Sequence, residues 1–478
     1  MKNSRLHLGY SLLIFLAVSC AMPKPTSINR AEVLPPSFQK SLDSNSIAVL
    51  PKKLFFPDKA LQLLIDTAIQ YNADIRIAVQ RIAAAKAGLG IAQGLTKPGL
   101  DAVVSTGVDK FGDYTMNGLG NYDMNLSPNI RKDQRIPLNM PDFFIGFRSS
   151  WEADIWGKLS NQKKAAYSKF LATEKARQWV TTQLVAQVAN LYYELLALDK
   201  ELEILKNNIT LQENAVEIVK IQKEGGRATE LAVQQFTAQL LGTKSMLNVI
   251  QQRIVQTENT LSAISGKYDL SIKRGTPITE LTIPEEIQIG IPAQLLVNRP
   301  DIREAELLLE AAGAELEASR KAFLPSLNIS AYTALNSFKS SVLFSPQSLT
   351  YGLLSGLVTP VLSKNMLKGN YQLATATQQQ AFETYRKHII YAYHEVQTEL
   401  SGIEQYKKIY QLKVQETKGL QAAVAASKDL YIGGSATYLE VITAQRGVLE
   451  AELEQINSKR SVFLYIIDLY RSLGGGWN

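Results

Sequence analysis

Few residues in this chain have the type and spacing that chemistry needs. Of the three histidines in 478 residues, His7 lies in the N-terminal leader, while His388 and His394 stand six apart in a helical pattern. Six places at 3.6 residues per turn put two side chains on different helix faces, a poor arrangement for sharing a metal. Both read as surface or packing residues. Gly88-Leu89-Gly90-Ile91-Ala92-Gln93-Gly94 has the glycines of a phosphate-cradling loop, but such a loop follows a strand, and here a helical pattern comes first. Small residues there suit close helix packing. Met116, Met124 and Met140 share one stretch and could offer soft sulfur ligands to copper, yet their scatter fixes no geometry. No catalytic residue, metal ligand or soluble cofactor is expected. The 51 Lys+Arg against 44 Asp+Glu give a net charge of +7. It is spread along the chain, without the basic stripe of a nucleic-acid binder.

Repeated geometry is what the chain does offer. Lys223-Glu224-Gly225-Gly226-Arg227-Ala228-Thr229-Glu230-Leu231 and Ile432-Gly433-Gly434-Ser435-Ala436-Thr437-Tyr438-Leu439 share Gly-Gly-x-Ala-Thr-x-Leu between two helical patterns. Glycine takes the φ > 0 geometry that ends a helix, and the threonine can cap the next one. Upstream, Asn72-Ala73-Asp74-Ile75-Arg76 and Arg299-Pro300-Asp301-Ile302-Arg303 each open a helix that stops at a proline, Pro98 or Pro325, 24 residues beyond the aspartate in both cases. A repeat this long is a duplicated domain rather than a solenoid. Each copy reads as helix, strand pair, long helix, tip, long helix. The first is assigned to 58–267 and the second to 293–473, with a connector at 268–292 and a tail at 474–478.

The N-terminus reads as an export signal over 1–19: Lys2 and Arg5, then the apolar Leu12–Val18, too short to span a bilayer. Cys20, the chain's one cysteine, follows Ala17-Val18-Ser19 as in a lipoprotein signal. It is expected to be the acylated first residue of the mature chain, holding it to a membrane surface. Residues 20–57 carry Pro23, Pro25, Pro35, Pro36, Pro51 and Pro57 and read as an extended segment on the body; 58–92 is then helical. With a single cysteine no internal disulfide can form.

Strands are expected at 100–109, 143–154, 327–335 and 349–361, each about long enough to cross a membrane when tilted. The connection Gly112–Pro141 reads as a polar Gly/Asn-rich loop, and 336–348 as a shorter one. Phe143, Phe144 and Tyr351 read as girdle aromatics. Four strands cannot close a barrel, and an open sheet in lipid leaves backbone groups unpaired at several kcal/mol each. Strands that enter a membrane would have to be pooled from several chains.

The long helices carry coiled-coil spacing. Leu184, Val188, Leu191, Leu195, Leu198, Leu202, Leu205 and Ile209 step by four and three, as do Leu439, Ile442, Arg446, Leu449, Leu453, Ile456, Arg460, Phe463, Ile467 and Tyr470. A helix from about Leu159 to Gln222 would run on the order of 90–100 Å and needs neighbours along its length. Leu439 and Arg446 project from nearly the same face, about 10 Å apart. Copies meeting on an axis would stack an apolar ring and a cationic ring. Repelling arginines need partners; Glu440 points elsewhere, so a partner is expected from another helix or chain, with Glu224, Glu230 and Asp429 as candidates.

Leu295-Leu296-Val297-Asn298-Arg299-Pro300-Asp301-Ile302-Arg303-Glu304-Ala305-Glu306 and Ser150-Trp151-Glu152-Ala153-Asp154-Ile155-Trp156-Gly157-Lys158 resemble the signature stretches of TolC-like outer-membrane efflux channels. Ala322–Leu327, Tyr438–Val441 with Ala444-Gln445-Arg446, and Leu473–Trp477 match in the same order. The lipoprotein-type branch serving RND multidrug pumps fits best. The resemblance implies an α+β homotrimer. Its twelve-stranded β-barrel in the outer membrane would continue into a periplasmic α-helical barrel. It implies a passive exit duct, not an enzyme, that carries drugs or other toxic solutes and docks with a periplasmic adaptor and an inner-membrane transporter. Leu439, Thr443 and Arg446 match positions lining the family's periplasmic constriction, where Thr443 replaces a frequent aspartate. The tips, Gly225, Gly226 and Arg227 with Gly433, Gly434 and Ser435, would face the adaptor. The rival reading is a coiled-coil envelope lipoprotein without a pore.

Overall fold

The computed structural model describes residues 46–360 and 364–477, preceded by 23, 35, 37 and 38. In chain order its main elements are α1 (Lys59–Tyr71), α2 (Ala73–Gly94), β1 (Gly99–Asp109), α3 (Met116–Leu126), β2 (Met140–Ala153), α4 (Lys158–Glu224), α5 (Glu230–Ile264), α6 (Pro300–Lys321), β3 (Ser326–Ser337), β4 (Leu349–Val358), α7 (Lys364–Ile432) and α8 (Tyr438–Ser472). They gather into two compact units, and each draws on both halves of the sequence. One holds Ala84–Phe170 and Leu308–Ala381; the other holds Arg30–Ala83, Leu171–Leu307 and Phe382–Asn478.

The first unit contains one antiparallel sheet in the order β1-β2-β3-β4. Its strands match the expected ones with shifted ends. β2 begins at Met140, three residues before the expected start, because Met140 and Pro141 stand opposite Asp109 and Val108. β4 ends at Val358, and 361–363 lie outside the described residues. The expected loop 112–141 is corrected: it contains α3, whose first turn is capped where the Thr115 hydroxyl accepts from the Gly118 N–H at 3.1 Å. The glycines of α2 are corrected too, since a Cβ at Gly88, Gly90 or Gly94 would meet nothing within 4 Å, so they allow no close packing inside this chain.

The Trp-Glu-Ala-Asp-Ile-Trp-Gly-Lys stretch turns strand β2 into helix α4. The Asp154 carboxylate accepts from the N–H groups of Leu159 (2.9 Å) and Ser160 (2.7 Å), filling the orphan donors of the helix start. Burial pushes its pKa up, but hydrogen bonds from Ser160 and Leu159 outweigh that and hold it below the ordinary value. Lys158 pairs with Glu152 at 2.7 Å, and the Trp156 indole donates to the Pro325 carbonyl at 2.7 Å.

In the second unit the seam of α4 is the centre of the core. Leu184, Val188, Leu195, Leu198 and Leu205 are buried, with Leu191, Leu202 and Ile209 half-buried. Around it lie Leu61 and Ile65 of α1, Leu261 of α5, Ile389 and Val396 of α7, and Ile456 and Tyr470 of α8. The helix expected over 58–92 is broken at Asn72. Its amide donates to the Ile264 carbonyl at 2.8 Å and accepts from the Ile75 N–H at 3.0 Å. The connector at 268–292 lies on this core through Ile272, Ile278 and Ile289. The Tyr192 hydroxyl donates to Asp58 (2.9 Å) and accepts from the Gly275 N–H (2.7 Å), tying connector to α1. Among the described residues no helix is long and apolar enough to cross a membrane.

Candidate functional site

The sheet has two chemically different faces, because alternate residues of a strand point opposite ways. Register puts Leu100, Ala102, Val104 and Val108 of β1 on one face with Phe143, Ile145 and Phe147 of β2. The same face continues through Leu327, Ile329 and Leu335 to Leu349, Tyr351, Leu353 and Leu357. Most of these are exposed, Val104 at 77 % and Leu353 at 77 %. A water-exposed apolar sheet this wide marks contact with something apolar. The other face carries Asp101, Ser105, Asp109, Asp142, Arg148, Ser150, Asn328, Ser330, Asn336 and Thr350. Phe144 belongs to this polar face, buried to 7 % exposure with the Arg148 guanidinium over its ring. Phe144 therefore does not share the apolar face of Phe143 and Tyr351, which corrects its reading as a girdle aromatic. β1 and β4 are the edges, so the outer backbone groups of both lack partners within the sheet.

The two tips are built alike. Arg227 N–H reaches the Gln222 carbonyl at 2.8 Å, and Ser435 N–H reaches that of Leu430 at 2.8 Å. The bends rest on Gly226 (φ 72°) and Gly434 (φ 74°), a conformation costly to any residue with a Cβ. Thr229 caps α5 by accepting from the Ala232 N–H at 3.3 Å. The Thr437 N–H donates to Glu440 at 2.8 Å, and its hydroxyl touches the same carboxylate and holds it below the usual pKa. Gly225, Gly226, Arg227, Gly433, Gly434 and Ser435 are all exposed. The Tyr431 hydroxyl donates to Gln222 at 2.5 Å, and Val441 packs into the cluster of Val219, Ala232 and Phe236, so the tips stand side by side.

Along α8 the seam changes character. It is buried at Leu449, Ile456, Phe463, Ile467 and Tyr470, but Leu439 is 56 % exposed, and Thr443 and Arg446 are exposed. The expected ion-pair partners of Arg446 are corrected. Its guanidinium pairs at 2.8 Å with Glu450, one turn ahead on its own helix, while Glu230 is held by Lys223 at 2.5 Å and Gln234 at 2.6 Å. The i, i+4 spacing of Arg446 and Glu450 is the sequence signal that pointed to this pair.

The Arg-Pro-Asp stretch forms a buried ionic site that no local sequence pattern announces. Arg299, 4 % exposed, grips Asp301 with two nitrogens (3.0 and 2.8 Å), Glu395 at 2.7 Å and the Ser472 carbonyl at 2.8 Å. Arg471 adds a bond to Glu395 at 2.6 Å, and His388 approaches Asp301 at 3.5 Å, so this histidine belongs to an ionic joint. Burial works against the Asp301 charge, but hydrogen bonds from His388 and Arg299 win and bring its pKa down to about 2. Met116 and Met124 stand 91 % and 57 % exposed. Cys20 and the leader lie outside the described residues.

The sequence matches the outer membrane efflux protein family over residues 64–267 and 291–475. It is 28 % identical over 475 residues to the pyoverdine export outer membrane protein OpmQ of Pseudomonas putida, covering 98 % of this chain and 97 % of that one. To the cation efflux system protein CusC of Escherichia coli it is 26 % identical over 425 residues, 89 % and 88 % of the two chains. Its structure is similar to that of CusC (TM-score 0.82, 25 % identity, 95 % of this chain and 100 % of that one). The outer-membrane channel OprN shares the fold (TM-score 0.84, 21 % identity, 95 % and 99 %).

Proposed function

The chain belongs to the outer membrane efflux protein family and is an efflux channel of the outer membrane; from that premise we propose that three copies form a passive exit duct for drugs or other toxic solutes. One observation carries the proposal: a four-stranded antiparallel sheet, apolar on one face and polar on the other, open along β1 and β4. In hydrocarbon those edges must be paired, and a ring of copies pairs each β4 with the next β1. The polar face then lines water and the apolar face meets lipid. The long helices continue the conduit through the periplasm, where an adaptor links it to an RND-type inner-membrane transporter that supplies the energy. Relatives named for pyoverdine export and for cation efflux support a duct whose cargo is chosen by that transporter. Purified protein should cross-link as trimers and give long-lived conductance steps in a planar bilayer. Monomers that leave the bilayer silent would overturn the duct and favour a coiled-coil lipoprotein without a pore.

Within this reading Leu439, Thr443 and Arg446 form the periplasmic gate. The support is that the seam of α8 runs on past Leu449 with these three side chains exposed, Arg446 paired only with Glu450 of its own helix. Leu439→Ala with Arg446→Ala should raise resting conductance while trimers persist; unchanged resting conductance removes them from the gate. The exposed tips at Gly225, Gly226, Arg227, Gly433, Gly434 and Ser435 dock the adaptor. Bulky residues at Arg227 and Ser435 should abolish efflux by assembled trimers, and efflux that survives them makes the tips mere turns. Cys20 carries the N-terminal lipid; mass spectrometry that finds an unmodified thiol there disproves it.

A further inference from the structure

One row of the polar sheet face is unlike the rest. Across the four strands in register, Asp101 faces Arg148, Arg148 faces Tyr332, and Tyr332 faces Gly352. Arg148 is the only Lys or Arg in any of the four strands. Its guanidinium lies over the Phe144 ring, 4.4 Å from the centroid, rather than in an ion pair with Asp101. The Phe144 ring is in turn 6.4 Å from that of Tyr332. Two glycines make the space. A Cβ at Gly352 would come 2.5 Å from the Tyr332 ring, and one at Gly146, between Phe144 and Arg148 on this face, 2.3 Å from the Ala334 Cβ. Any larger residue at Gly352 would lift Tyr332 off the wall.

We propose that Arg148, seated on Phe144 beside Tyr332, is a specificity-determining residue of the channel, part of a collar on its inner wall that retains aromatic anions. The proposal rests on the closed-barrel reading above, which brings three copies of the row to one level. One face of the planar guanidinium is taken by Phe144. Its N–H edges can hold a carboxylate or sulfonate through two parallel hydrogen bonds. Directly across in register, Tyr332 is 42 % exposed and offers its ring to that of the same solute. An aliphatic anion meets only a charge screened by the water of the conduit. A neutral aromatic meets only the ring. A solute that is both anionic and aromatic engages the whole collar.

The test uses the full-length protein in planar bilayers with symmetric KCl, probed with benzenesulfonate and methanesulfonate. Benzenesulfonate should reduce single-channel current at concentrations where methanesulfonate does not. Arg148→Gln should weaken that block, Phe144→Leu should weaken it roughly two- to fivefold, the worth of one exposed cation–ring contact, and Arg148→Lys should leave it intermediate. Arg131→Gln, in the β1–β2 connection where Arg131 pairs with Asp133, should leave it unchanged; relief in that variant would move the site off the sheet and overturn the collar. Equal block by the two anions, or block that survives Arg148→Gln, also overturns it. Wild-type channels that conduct without any benzenesulfonate block defeat the collar alone, whereas a silent wild type defeats the barrel reading beneath it.

Discussion

The two halves of the chain solve one joint in two ways. Aligned on the tips they are 208 residues apart, and aligned on Asp74 and Asp301 they are 227 apart; the longer β1–β2 connection with α3 accounts for the difference. In the first half the Asn72 amide donates to the Ile264 carbonyl; in the second the Arg299 guanidinium donates to Ser472, the residue that matches Ile264. Beside each contact a positive-φ glycine closes on backbone, Gly266 on Tyr71 and Gly474 on Asn298. Around them the chemistry diverges. Asp301, Glu395, Glu399 and Arg471 correspond in order to Asp74, Gln187, Leu191 and Ala263, of which Leu191 is half-buried and the other three are exposed. One backbone arrangement is thus locked by a neutral amide in one place and by a buried charge network in the other. The neutral lock is insensitive to pH, and the charged one is not.

The largest effect that can break this comparison is the loss of each lock. Arg299→Ala leaves Asp301 and Glu395 without their cation and should cost about 3–5 kcal/mol. Asn72→Ala strands one carbonyl and one N–H and should cost about 1–3 kcal/mol. Thermal melts of the two variants in detergent would rank them, and equal losses would show that the charges add nothing to the amide solution.

Acidity separates the halves next. Burial, with Asp468 and Glu395 nearby and Arg471 opposing, raises Glu399 to about 7. A carboxyl raised on folding favours the folded state below its unfolded pKa of about 4.3, and that contribution fades as pH climbs toward 7. Asp301, lowered to about 2, acts oppositely. Its contribution is complete above its unfolded pKa, about 3.9, and is lost as pH falls through about 2. The melting temperature of the wild type should therefore drop between about pH 5 and about pH 8 relative to Glu399→Gln. Parallel profiles would remove Glu399 from the account.

A smaller contrast lies thirteen residues either side of the first tip, at Gln212 and Gln239. Gln212 is 2 % exposed, and neither amide atom of either glutamine has a hydrogen-bond partner among the described residues. The second hairpin has Leu420 and Gly447 there, with a Cβ at Gly447 in ordinary contact range of Leu420 at 3.4 Å. Gln212→Leu should stabilise the first hairpin by about 1–2 kcal/mol, and a neutral or lower melting temperature would show that these amides are satisfied in the assembled protein. The weakest contrast is Arg446–Glu450, which the first hairpin replaces with Ala238 and Gly242. Glu450→Gln should change stability by no more than about 0.5 kcal/mol, and a larger loss would mean that the pair does more than sit on the surface.

Most of this architecture was legible before any coordinates. The Gly-Gly-x-Ala-Thr-x-Leu tips and the spacing from Asp to Pro are local rules that repeat, and the seam of α4 is buried as its spacing implies. What escaped depends on information that a strand or helix does not carry alone. The face taken by Phe144 depends on pairing register across three strands. The helix α3 lies in a Gly/Asn-rich stretch of low helix propensity, with Thr115 as its one clear start signal. Gly88 and Gly90 read as packing residues until the open space beside them was seen. The network at Arg299 joins residues up to 173 positions apart, beyond any local pattern, although the partner of Arg446 was four residues away and open to reading.

The bare edges of β1 and β4 have a genetic consequence. In the proposed ring every subunit contributes one edge to each neighbour, so an allele whose β4 cannot pair spoils every ring it enters. With equal amounts of the two products mixing at random, only about one ring in eight would be built wholly from intact subunits. Such a lesion would be dominant: a cell carrying both copies would lose most of its export although half its protein is sound. A defect confined to one tip would leave the ring closed and would follow a milder rule of inheritance.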